Sequence, residues 1–245
     1  DPNTGSISAN YVTAIIAEYQ MKLSGLNKIP YHINVDTKLL YNPEMRSTYT
    51  FVPGVMGLVL LIICTLMTSI SIVREKERGT MEVLLASPLK PTTVLLSKTI
   101  PYLTLSFVNL VTILLLAVYI LNVPIKGSLV LLLAISTIFI FLSLSLGLLI
   151  STLVETQITA ILISGIGMMM PVLILSGMIF PIANMPNLLQ WLSSIVPAKW
   201  FISAVKKVMI EGLGFSSVIK EVSILLFMSL AIMTISIKNI KTRLE

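Results

Sequence analysis

Five long apolar runs constrain this chain more than any other feature. A helix needs about 20 mostly apolar residues to cross the hydrocarbon core of a bilayer. The runs are 51–73, 99–121, 128 to about 154, about 156 to 180, and about 218 to 237. The first contains no charge, and Lys220 and Glu221 stand near the start of the last. Of the 245 residues 56% are hydrophobic and only 11% charged, where soluble domains carry about 25% charged residues. Mean hydropathy is +0.96. The chain reads as an all-α polytopic membrane protein with five transmembrane helices, and its composition argues against a soluble enzyme.

Orientation follows from the basic residues. The net charge is +6, and lysine and arginine collect on the cytoplasmic side of membranes. Arg74, Lys76, Arg78, Lys90 and Lys98 crowd the connection between the first two runs, and Lys238, Lys241 and Arg243 follow the last. Lys22, Lys28, Lys38, Arg46, Lys126, Lys199, Lys206 and Lys207 are spread over a far longer stretch on the other side. The dense set therefore marks the cytoplasm. Residues 1–50 lie outside, the 74–98 loop inside, and the C-terminus inside.

Residues 1–50 are polar and mixed. Val12, Ile15, Ile16 and Tyr19 fall at helical spacing within a short helix over 10–20. Tyr31, Ile33 and Val35 alternate with His32, Asn34 and Asp36, the pattern of a half-buried strand. Asn42-Pro43 marks a turn. The segment reads as the end of a partial α+β extracytoplasmic domain, and the chain, which starts at Asp1, as a fragment.

The 74–98 loop carries the most informative motif, R-E-K-E-R-G-T-M-E-V-L-L-A-S-P over 74–88. Thr80 suits a helix cap. Met81, Leu84 and Leu85 share one helical face, and Pro88 and Pro91 end or redirect the helix. Either this is an interfacial helix in a positive-inside loop, or it docks a cytoplasmic partner. Its mixed charge suits a protein contact better than lipid alone.

The fourth run holds Pro171, which should kink it, with Gly165, Gly167 and Gly177 nearby and Pro181 at its end. These residues are either ordinary close helix packing or a gate or hinge. Residues 181–217 hold Pro181, Pro186 and Pro197 between apolar stretches, too interrupted for a simple span. They read as an outer re-entrant segment, with Trp191 and Trp200 suited to the interfacial belt. Met168, Met169 and Met170 can adapt to varied apolar ligands or simply pack.

Several chemistries find no support. The chain has no G-x-x-x-x-G-K-[ST] loop, so it cannot hold ATP in that way. His32 is its only histidine and Cys64 its only cysteine, so neither a disulfide framework nor a cysteine metal site can form within the chain. Ser143 and Ser145 have no histidine beside them to act as a base. No acid or base lies mid-run, which counts against a self-powered proton-coupled carrier.

Taken together, four stretches resemble the type-2 ABC exporter permeases, closest to the multidrug-efflux-like subgroup. They are Glu75–Pro88 with its E-R-G-T-M-E-V-L-L-A-S-P core, Asp1-Pro2-Asn3-Thr4 before a helix, Tyr41-Asn42-Pro43-Glu44 leading to Val52-Pro53-Gly54, and Leu175–Pro181 with Met185-Pro186. The resemblance covers essentially the whole chain. It implies that the five spans are helices two to six of a six-helix permease, with 1–50 the remnant of the extracytoplasmic domain and 51–245 the transmembrane domain.

The resemblance also implies a function: a permease subunit moving a hydrophobic or amphipathic compound, drug-like or lipid-like, out of the cytoplasm or inner leaflet. Such a subunit is not itself an enzyme. ATP and Mg would be bound by separate cytoplasmic ABC ATPase subunits, and the permease would pair with a second copy or paralogue in the bacterial inner membrane, with no role for nucleic acid. Glu75, Glu77, Arg78, Gly79, Thr80 and Glu82 would contact the ATPase, with Met81, Leu84 and Leu85 anchoring the helix. A non-transporting scaffold that recruits a cytoplasmic partner, and an ion-coupled secondary carrier, are the alternatives.

Overall fold

The computed structural model describes residues 2–24, 41–42, 44, 46–80 and 91–242. The chain forms two compact units, Asp1–Thr50 and Phe51–Glu245. In the first, α1 (Pro2–Ser24) is longer than the spacing of its apolar residues predicts. Val12, Ile15 and Tyr19 are exposed on it. Asn42 Oδ1 accepts the Arg46 N–H at 3.0 Å, and its amide donates to the Arg46 carbonyl, closing the expected turn. The strand expected over 31–36 lies outside the described residues, among which there is no strand.

The second unit holds the spans. They are α2 (Thr48–Glu77), α3 (Pro91–Tyr119), α4 (Leu129–Leu153), a composite helix over Gln157–Leu175, and α9 (Ile219–Thr242). Among the described residues five helices are long and apolar enough to cross a membrane, as the sequence predicts, or six if the bent pair over 187–210 is one span. Their ends differ from the apolar runs where local chemistry intervenes. α2 continues through Arg74 and Lys76 to Glu77, because Lys76 finds carbonyl partners on a neighbouring helix. Pro91 opens α3 at the first helical position, where its missing N–H costs nothing.

The composite helix is where expectation and structure differ most. It consists of α5 (Gln157–Ile161), a π-helical turn (Leu162–Gly167) and α6 (Met168–Leu175). A kink at Pro171 is the simple expectation. Instead the irregularity lies in the turn before it, because Pro171 lacks an N–H and its ring crowds the carbonyl four residues back, that of Gly167. A wide turn accommodates that defect. The helix then ends at Leu175 rather than near 180, since Gly177 takes a left-handed backbone conformation, φ +78°. Pro181 precedes a short 3₁₀ turn, Ile182–Asn184.

The 181–217 segment forms two helical arms, α7 (Asn187–Ser193) and α8 (Pro197–Val205), the latter running on into a π-helical turn, Lys206–Ile210. The arms are bent by 83° about Ser194–Val196. The second arm packs on α4: Phe139 and Phe201 stack with ring centroids 4.1 Å apart, both fully buried.

Packing sets an inner and an outer layer. About half of the apolar window of α2 and of α4 is buried, against about a fifth in the other spans. Leu105, Val108 and Leu115 of α3, Ile158 and Ile166 of the composite helix, and Phe227 and Leu230 of α9 are exposed. Exposed apolar side chains on spans of this length suit a hydrocarbon surround, which needs no polar cover. The inner pair approaches closely at Gly147, where a Cβ would stand 2.7 Å from the Thr65 carbonyl oxygen and 2.8 Å from Thr68 Cβ. Gly147→Ala should therefore destabilise the fold by about 1–3 kcal/mol through overpacking. Gly165→Ala, with nothing nearer than Leu66 Cδ1 at 3.8 Å, should be neutral or better. Thermal unfolding in detergent, run on both variants, checks the contrast.

Candidate functional site

The site is built on the last turns of α2. Val73 is fully buried in a cluster with Ile150, Val154 and Ala160, with Met168 packed against it. This fixes the end of α2 between α4 and α5. The following residues then grip the α4–α5 connection. The last carbonyls of a helix have no partners within it. Lys76 Nζ donates to the Ser151 carbonyl and to that of Val154 at 3.5 Å, so its charge sits at the negative end of α4. Gln157 Nε2, at the first residue of α5, donates to the Glu77 carboxylate. Two successive side chains of α2 thus hold the two sides of one connection.

Beyond this grip α2 stops. Gly79 N–H donates to the Lys76 carbonyl at 3.1 Å with φ +71°, a left-handed helix stop that suits glycine. Thr80 Oγ1 turns back and donates to the Glu75 carbonyl at 3.2 Å and to its carboxylate. Arg78, Gly79 and Thr80 are exposed. The structure therefore brings Glu75 and Thr80 together, places Glu77 on Gln157, and leaves Arg78 facing outward. Met81, Glu82, Leu84 and Leu85, and with them the expected amphipathic helix, lie outside the described residues.

α2 also touches the irregular turn. Ser69 Oγ and Ser164 Oγ share a buried hydrogen bond at 2.8 Å. Ser164 precedes Gly165 inside the π-helical turn. The Arg74–Thr80 segment and the Gly165–Pro171 segment are thus linked through one helix. Sequence reasoning missed Ser69, Lys76, Ser151, Gln157 and Ser164. Lys76 had a signal: it is the base one turn past an apolar run.

Beside Pro171 a cavity of about 400 Å³ opens among α2, α4, α6, α9 and the bend between α7 and α8. Leu61, Leu146, Met168, Pro171, Phe227 and Met228 line it, all apolar. Met169 and Met170 instead point outward, both exposed. At the opposite end of α4 from Lys76, Lys207 and Glu221 pair at 2.6 Å, with Glu221 buried. Ser203 Oγ donates to the same carboxylate oxygen at 3.4 Å, and Lys207 also donates to the Ser217 carbonyl at 3.2 Å. A buried carboxylate needs such partners. The pair ties the second arm of the hairpin to the first turn of α9.

Among the described residues nothing resembles a bond-making centre. Ser143 and Ser145 donate to the Phe139 and Phe141 carbonyls, each at 2.8 Å. Cys64 Sγ is engaged with Ser106 Oγ at 3.0 Å between α2 and α3. The arrangement is a set of mechanical links between helices, with an apolar cavity inside.

Comparison with known proteins shows the family. The family described as ABC-2 family transporter protein matches residues 1–238, and the chain belongs to it. It is 34% identical over 99% of its length to the probable multidrug ABC transporter permease YbhS of Escherichia coli. It is 32% identical over 85% of its length to the probable multidrug ABC transporter permease YbhR of the same organism, covering 56% of that protein. ABC transporter G family member 20 of Dictyostelium discoideum is 30% identical over 84% of this chain and 29% of its own length. The chain spans 64% of the length of YbhS.

The Lys76 grip has a measurable consequence. Lys76→Met keeps the stem and removes the donors, leaving two terminal carbonyls of α4 without this partner. It should cost about 1–3 kcal/mol, read as a lower unfolding midpoint, and Lys76→Arg should recover most of the loss. Gln157→Ala, at a solvent-facing contact, should fall within about 0.5 kcal/mol of the parent.

Proposed function

We propose that this chain is the membrane-spanning part of the permease of an ATP-driven exporter. Separate cytoplasmic ABC ATPase subunits would hydrolyse ATP with its Mg. The observation that carries the reading is the anchoring of the Arg74–Thr80 segment: Lys76 and Glu77 hold it to the α4–α5 connection. A segment that only fills a loop has no need of that. A segment that receives force from a partner does, because a push on a loosely attached loop moves nothing else.

In this reading the 74–98 loop faces the cytoplasm, residues 1–50 face outward as part of an extracytoplasmic domain, and the hairpin over 181–217 dips into the outer leaflet. Glu75, Glu77, Arg78, Gly79, Thr80 and Glu82 meet the ATPase, with Met81 and Leu85 seating the helix. Movement of α2 is passed through Ser69 to the turn holding Gly165 and Gly167, and onward to Pro171, Gly177 and Pro181, which act as the hinge. The apolar cavity beside Pro171 suits a hydrophobic or amphipathic substrate. A second permease completes the path in the bacterial inner membrane. The names of the Escherichia coli relatives, which include the word multidrug, support efflux of drug-like compounds.

Gly79→Pro and Glu82→Lys test this reading in the full-length permease reconstituted with its ATPase. Both should insert and assemble as the parent does. Export per ATP hydrolysed should fall by at least about fivefold, the lower end of typical coupling between sites. Parent-like coupling ratios in both variants would remove the docking role.

A further inference from the structure

The hairpin presents an unusual arrangement at its bend. Trp200 Nε1 donates to the Ser194 carbonyl at 3.0 Å, which holds the indole in place. Lys199 Nζ lies 5.0 Å from the centre of that ring and Lys220 Nζ 5.8 Å from it. The ring face attracts each ammonium, but the two cations repel one another. Lys199 also donates to Ser193 Oγ at 2.9 Å and Ser194 Oγ at 3.0 Å, both uncharged partners. Among the described residues no carboxylate pairs with either lysine. Glu221, next to Lys220 in the chain, is held by Lys207. Among the described residues, two cations thus share one aromatic ring and no anion balances them.

A groove of about 760 Å³ lies directly beside this cluster, lined by Asn187, Leu188, Trp191, Leu192, Ser194 and Ile195. Apart from Asn187 and Ser194 its walls are apolar. Ser194 belongs to both features, since its hydroxyl accepts from Lys199. Leu188, Trp191 and Ile195 are strongly exposed, Trp191 at 81%. A fixed pair of cations therefore adjoins an open apolar trough at the bend of a membrane hairpin.

We propose that this surface binds an acidic phospholipid. Its phosphate sits beside Lys199, Trp200 and Lys220, and its acyl chains lie along Leu188, Trp191 and Ile195. The charge and the trough select the ligand together. A zwitterionic lipid brings its own ammonium toward two lysines. A soluble anion satisfies the lysines and leaves the trough uncovered. Lipid binding here does not depend on the export reading, because it concerns the resting surface of the hairpin.

Trp191 is a built-in reporter, and Trp191 and Trp200 are the two tryptophans of the chain. The full chain is reconstituted in phosphatidylcholine vesicles containing a minor share of phosphatidylglycerol, with acyl-chain bromines on one lipid or on the other. Bromine quenches a neighbouring indole. Phosphatidylglycerol should be preferred by about tenfold over its mole fraction, since each basic residue near a surface contributes substantially to acidic-lipid attraction. Lys199→Gln/Lys220→Gln should abolish the preference, and Lys220→Gln alone should reduce it. Lys126→Gln removes the same charge from the loop whose Lys126 N–H bonds the Met209 carbonyl, at the same end of the unit, and should leave the preference intact.

Four results would overturn the proposal, the last of them with inorganic phosphate. Equal quenching by the two lipids in the parent would show no selectivity. A preference that survives in the double variant would place its origin elsewhere. Absence of quenching by either lipid would show that protein, such as a second copy, covers the trough. Inorganic phosphate, compared with chloride at equal ionic strength, separates the sources of the anion. A preference unchanged by phosphate supports the lipid, and its specific loss would make the site one for the free anion.

Discussion

Inside a bilayer a backbone N–H or carbonyl has no water to turn to, and everything in the Phe51–Glu245 unit follows from that. Regular helices satisfy the requirement alone, which is why helices dominate it. The places where the helix fails are the informative ones, because each needs a substitute. At the end of α4 the substitute is the Lys76 ammonium. Ahead of Pro171 it is a π-helical turn, tied to α2 by the Ser69–Ser164 bond. At the hairpin bend the Trp200 indole caps the Ser194 carbonyl. The functional reading grows out of these repairs, since each repair is also a link between two elements.

α2 is the element that the first two of these links share. It buries its face against α4 through the tight crossing at Gly147, grips the α4–α5 connection with Lys76 and Glu77, and touches the irregular turn through Ser69. Its outer end is the exposed Arg78-Gly79-Thr80 corner. In the proposed reading a displacement applied at that corner passes inward through these contacts, as packed interiors transmit strain. The Lys207–Glu221 pair gives the far end a comparable fastening. The molecule thus has firm attachments at both ends and an apolar cavity with a backbone irregularity between them.

The number and approximate extent of the spans were legible in the sequence because hydrocarbon thickness imposes a minimum apolar length, and runs such as 51–73 and 128–154 have no other use. Helix ends were less legible. Arg74 and Lys76 look like the end of α2, yet a side chain that finds carbonyls on a neighbour lets the helix run on. Pro171 announced a defect, but its position was shifted by the turn before it, and periodicity carries no trace of that choice. The Lys76 and Gln157 contacts bridge residues about 80 apart in the chain, a separation no local pattern encodes. The family resemblance, by contrast, was carried by short motifs and extends across 1–238. The proposed coupling role of Met81, Glu82 and Leu85 rests on those motifs alone.

The central claim is that the Arg74–Pro88 segment joins a force-supplying ATPase to the helices. The most direct measurement is purification of the full-length permease from native membranes, with mass spectrometry of the proteins that accompany it. The account predicts co-purification of a protein carrying a phosphate-binding loop, lost when residues 74–88 are replaced by an unrelated polar linker. Recovery of the same ATPase after that replacement, or of other membrane proteins with no ATPase at all, would contradict it.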